Sequence, residues 1–68
     1  MELRIGARRT GGIWHGYIEG RVVPDEDVRA LTKEIAIEKA ERVARQIAEK
    51  EGFLAILRIA RISNSDDI

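Results

Sequence analysis

The sequence predicts an α+β domain: a three- to four-stranded, mainly antiparallel sheet with one amphipathic helix packed on one face, in the order ββαβ. Three observations predict it. Apolar and polar residues alternate along the first two dozen positions, the period of a strand. A nineteen-residue stretch in the second half repeats its apolar residues with the period of a helix. A short apolar segment then follows Gly52.

Residues 1–9 read as the first strand, with Leu3, Ile5 and Ala7 alternating with Glu2, Arg4 and Arg8. Thr10-Gly11-Gly12 is a turn, because paired glycines supply the positive φ that a tight hairpin needs. Residues 13–23 read as the second strand. Trp14, Ile18 and Val22 fall on one face; His15, Tyr17, Glu19 and Arg21 fall on the other. Gly16 and Gly20 weaken that strand and mark a bulge or a close packing contact. Pro24 and the acidic run Asp25-Glu26-Asp27 break it, because proline cannot donate to a ladder and three carboxylates prefer water. Residues 28–31 form a loop or a brief edge strand.

Thr32 has the chemistry of an N-cap, and Glu34 lies in the first turn, where the helix dipole favours a negative charge. The helix is expected over residues 33–51. Ala36, Ala40, Val43 and Ile47 form its apolar stripe, widened by Ile37, Ala44 and Ala48. Glu38 with Arg42, and Glu41 with Arg45, are favourable i,i+4 pairs on the opposite side. Gly52 is the natural stop. Residues 53–62 read as the last strand, so the domain spans 1–62, and the acidic residues 63–68 form a frayed tail.

That last segment carries the most information about partners. Phe53, Ala55, Leu57 and Ile59 make one apolar row. Leu54, Ile56, Ala60 and Ile62 make the opposite one, interrupted by Arg58. A strand covered on one face should alternate. Two apolar rows predict that a second copy or another protein covers the far face, unless Leu54 and Ile56 tuck under the loop before the helix. The three expected strands also hold six arginines against two glutamates. The candidate interaction face therefore comprises Arg4, Arg8, Tyr17, Arg21, Leu54, Ile56 and Arg58, with His15 among them. Arginine beside an aromatic and a few aliphatics is a recognition composition. Arginines lying flat over aliphatic neighbours on a solvated sheet give the same pattern.

Composition limits the chemistry. With 68 residues and 44% hydrophobic content, there is room for one compact domain with a thin core. The chain has no cysteine, which excludes disulfides and thiolate metal sites. The first residues alternate and do not build the apolar block of a signal peptide, and no apolar run reaches membrane-spanning length, so the expected location is cytoplasmic. Basic and acidic residues balance at 12 each, which argues against a general polyanion binder. His15 is the one histidine, and no acidic residues flank it at metal-ligand spacing. Thr10, Thr32, Ser63 and Ser65 fall at a turn, a cap or the tail, so no nucleophile stands beside it. The glycines lack phosphate-loop spacing, and Asp25-Glu26-Asp27 lacks the spacing of a calcium loop. No catalytic residue, cofactor, metal or small-molecule substrate is expected.

From Trp14 to about Ile59 the chain resembles a family of short uncharacterised bacterial ββαβ domains. In these, a Trp-bearing hairpin precedes a helix opening with Thr-Lys-x-x-Ala, and a strand follows Glu-Gly. Here the matching residues are Trp14, Thr32-Lys33-Glu34-Ile35-Ala36, the Ala-rich run to Ile47-Ala48, and Glu51-Gly52. The segment from Pro24 to Leu31 is longer than that pattern. The resemblance implies the fold and brings no activity with it.

The functional expectation is a small non-catalytic interaction module that self-associates or docks on a protein partner through the sheet face. A nucleic-acid-binding sheet domain is the alternative, with the arginines on phosphate or base edges and Tyr17 on sugar. A phage- or plasmid-borne inhibitor of a larger host complex is a third reading.

Overall fold

The computed structural model describes residues 1–62 and forms one four-stranded mixed sheet covered on one face by a single helix. The expected tail, residues 63–68, lies outside the described residues. Strand β1 (Glu2–Thr10) turns through Gly11 and Gly12 into β2 (Ile13–Ile18). Both glycines have positive φ, 58° and 83°, as a two-residue hairpin turn of this hand requires. A loop with a 3-10 turn at Asp25–Asp27 leads to β3 (Arg29–Ala30), then to α1 (Lys33–Glu51). A second 3-10 turn, Leu54–Ile56, precedes β4 (Arg58–Arg61).

The strand order is β3-β2-β1-β4. The first two interfaces are antiparallel, and β4 pairs with β1 in parallel. The parallel pair follows from chain length. Nineteen helical residues carry the chain back along the sheet, so the returning strand runs in the direction of β1.

The helix begins and ends where capping chemistry places it. Thr32 Oγ1 accepts from the Ile35 N–H at 3.3 Å. Gly52 adopts a left-handed conformation (φ 86°), and its N–H closes on the Ala48 carbonyl at 2.9 Å. Ala36, Ala40, Ala44 and Ala48 are fully buried and Ile37 nearly so, while Val43 and Ile47 pack at the margin. A row of alanines lets the helix approach the sheet closely, and Gly16 completes that approach from below. A Cβ at Gly16 would lie 2.6 Å from the Ala36 carbonyl oxygen, so the strand accepts only glycine there. Leu3, Ile5, Ala7, Ile18 and Val28 fill the rest of the core.

Three strand expectations change. β2 ends at Ile18, five residues short of Val23, because the Arg21 N–H turns back to the Ile18 carbonyl. Val22 is therefore fully exposed and not on the core face. β4 starts at Arg58, not Phe53. The Ile56 N–H returns to the Phe53 carbonyl and the Leu57 N–H to that of Leu54, so residues 53–57 are coiled although all five are apolar. The two-sided apolar strand does not exist, and neither does the argument that something must cover its second face.

Candidate functional site: the open sheet face

Side chains alternate along each strand, and paired residues share a face. The register therefore assigns every residue. Leu3, Ile5, Ala7, Trp14, Ile18 and Ile59 face the helix. Glu2, Arg4, Gly6, Arg8, His15, Tyr17, Arg29, Arg58 and Ala60 face away from it.

One row crosses three strands. His15 on β2 is paired with Arg8 on β1 and with Arg29 on β3, so the imidazole stands between two arginines. His15 Nδ1 lies 2.6 Å from Asp25 Oδ1. A carboxylate can only accept, so the imidazole donates there, and this orients the ring. The backbone around Arg29 is bonded on one side by the main chain of β2 and on the other by a helix side chain. The Val28 carbonyl accepts from the Gly16 N–H at 2.9 Å, and Lys39 Nζ donates to the Arg29 carbonyl at 2.8 Å.

The next row is aromatic. Tyr17 pairs with Gly6, and its ring lies flat across that glycine. A Cβ at Gly6 would come within 2.6 Å of the Tyr17 hydroxyl and 2.7 Å of Cζ. The Arg8 guanidinium sits 4.8 Å from the ring centroid. Tyr17 thus packs on Gly6 and under the Arg8 guanidinium.

Toward the other end the arginines have acidic neighbours. Arg4 donates to Glu19 at 3.3 Å, with both side chains more than half exposed, and Arg58 pairs in register with Glu2. At the hairpin end the row holds Arg8, His15 and Arg29, with Asp25 bonded to His15. Glu26 and Asp27 line a groove with Lys39 and Arg42 on the helix side.

Of the seven residues expected on this face, Arg4, Arg8, Tyr17 and Arg58 are on it. Arg21, Leu54 and Ile56 are not, a correction that follows from the shortened strands. Arg21 lies beyond the end of β2, donates to Glu51 at 2.5 Å at the helix C-terminus, and passes 6.0 Å from the Phe53 ring. That hydrogen bond lowers the Glu51 pKa and raises that of Arg21. Leu54 lies in the coiled segment and lines a groove of about 430 Å³ beside Glu41, Arg45 and Glu49 of the helix. Ile56 is exposed, and its carbonyl accepts from the Met1 amino group. Arg61, paired in register with Ile5, faces the helix side and donates to Glu41 at 3.0 Å.

Arg29 and Asp25 join the site without a sequence signal. A two-residue strand is too short for periodicity, and Asp25 belongs to a run that reads as a solvated turn. No group of three or more metal-ligating side chains occurs among the described residues, and no helix there is long and apolar enough to cross a membrane. In comparisons with known proteins, no protein family, curated protein or solved structure matches the chain.

Proposed function

We propose that the protein is a small non-catalytic binding module that takes nucleic acid on its open sheet face. The row Arg8–His15–Arg29 carries this reading. Two arginines pair in register with a histidine whose imidazole is oriented by a carboxylate, and backbone hydrogen bonding joins the three strands that carry them. Guanidiniums bind phosphate oxygens through paired N–H groups, and a row about one strand apart samples successive positions along a backbone. The neighbouring Tyr17–Arg8 stack adds planar groups, the kind of surface on which unpaired bases settle. The zero net charge is compatible with this role, because Glu26 and Asp27 and the helix carboxylates Glu38, Glu41 and Glu49 lie off the open face. Protein docking through Leu54 and Ile56 would use another surface, since both are exposed and neither is on that face.

The test is fluorescence anisotropy of a labelled single strand and a labelled duplex at low and near-physiological salt. Binding to the single strand should weaken with salt. Arg8→Ala and Arg29→Ala should each weaken it severalfold and remove about one unit from the salt slope. Arg42→Ala, on the outer side of the helix, should change nothing. No binding at low salt, or equal loss in the Arg42 variant, overturns the reading.

A further inference from the structure

We infer that β4 is a dimerisation edge, with a second copy of this chain pairing against it antiparallel to build one eight-stranded sheet. The observation is where the backbone groups of β4 point. Arg58 N–H donates to the Met1 carbonyl at 2.8 Å, and Ile62 N–H to that of Ile5 at 2.7 Å. Ala60 lies midway and points the same way. Ile59 and Arg61 therefore turn their N–H and C=O groups outward, at the end of the strand order where no described strand follows. Such an edge is a template for another strand. The opposite edge, β3, is two residues long and offers far less.

One register satisfies both copies. Set about a two-fold axis at Ala60, Ile59 of each copy faces Arg61 of the other. These are the outward-pointing residues, so both pairs exchange two hydrogen bonds and four bonds form in all. Ala60 then faces its own copy as a non-hydrogen-bonded pair, and Arg58 faces Ile62. No arginine faces an arginine, and Arg61 keeps Glu41 on its own helix. Shifting the register by two residues one way sets Arg61 against Arg61; the other way enlists Leu57, whose N–H is already bonded to Leu54. Charge and hydrogen bonding thus select the same alignment, and the partner it fits is the chain itself. The two-fold axis leaves both helices on one side and both open faces on the other.

The absence of native cysteine makes the test direct. The two Ala60 Cα atoms would lie about 4.5 Å apart, within disulfide reach. Sedimentation of the full chain without nucleic acid should show a species of twice 7.7 kDa that grows with concentration. Oxidised Ala60→Cys should cross-link to a covalent dimer, and Arg58→Cys should not. A synthetic chain with N-methyl groups at Ile59 and Arg61 keeps every side chain and every bond to β1 but removes the outward donors. It should stay folded by circular dichroism and sediment as a monomer. A monomer up to millimolar concentration overturns the inference, as does a dimer indifferent to N-methylation or equal cross-linking at both cysteine positions. None of these readouts depends on nucleic-acid binding.

Discussion

The two faces of the sheet obey different rules of packing. The helix side is made of small residues at close range: four alanines in the row that meets the sheet, with Gly16 beneath them. Its charges sit only at the rim, as Arg61 with Glu41 and Arg21 with Glu51. On the open side, side chains lie over the sheet and on one another, with Tyr17 across Gly6 and Arg8 over Tyr17. Both faces contain a glycine where a Cβ would meet an atom about 2.6 Å away. What differs is the atom. At Gly16 it is a helix carbonyl fixed by the ladder of α1; at Gly6 it is the end of a side chain that can swing into water. Close packing is therefore obligatory on one face and adjustable on the other.

Gly16→Val tests the obligatory side and should have the largest effect. The new side chain must push the helix off the sheet or break the strand, at about 3 kcal/mol or more. A domain this small has little to spare, so the loss takes a large share of its stability. Far-ultraviolet circular dichroism with urea titration measures it. A variant as stable as the parent would mean that the helix does not lie where the alanine row places it.

Gly6→Ala tests the adjustable side. The Tyr17 ring must lift, at about 1–2 kcal/mol, which lowers the melting temperature by roughly 4–15 °C for a chain of this length. The fold should persist. Arg8 side-chain protons, now shifted by the ring current of Tyr17, should move toward random-coil positions in NMR spectra. If Gly6→Ala costs as much as Gly16→Val, the two faces do not differ as described.

These features were unequally legible in the sequence. The helix was readable to the residue, because nineteen positions of one period are bounded by a threonine cap and a left-handed glycine. The hairpin was readable from Gly11-Gly12. The Gly16 contact was anticipated as one of two alternatives. The last strand does not extend over Phe53–Leu57, since a short unbroken apolar run describes a 3-10 turn beside a helix as well as it describes a strand. In β2 alternation continues past Ile18 to an exposed Val22 although the strand has ended. Reading both strands too long places Arg21, Leu54 and Ile56 on a face they do not share. The row Arg8–His15–Arg29 stayed hidden for a different reason. Arg29 meets His15 only through a two-residue strand brought in by a loop, and such a contact leaves no period in the sequence.

The rim charges offer the mildest test of the comparison. Arg21 holds Glu51 through a hydrogen bond that lowers the carboxyl pKa from its ordinary 4.5, the effect of nearby Lys50 being secondary. A carboxyl with a lowered folded pKa stabilises the fold above its unfolded pKa. That contribution is lost as pH falls through the folded value. Glu51→Gln removes it at every pH. The parent should therefore melt slightly above Glu51→Gln at pH 7, and the two curves should converge in acid, below the ordinary carboxylate range. The gap should be small even at pH 7, because the Glu51 side chain is about half exposed and water competes for the pair. High salt should narrow it further. A large gap that survived both acid and salt would mean that Glu51 contributes by packing, and that the rim of the covered face belongs to its core.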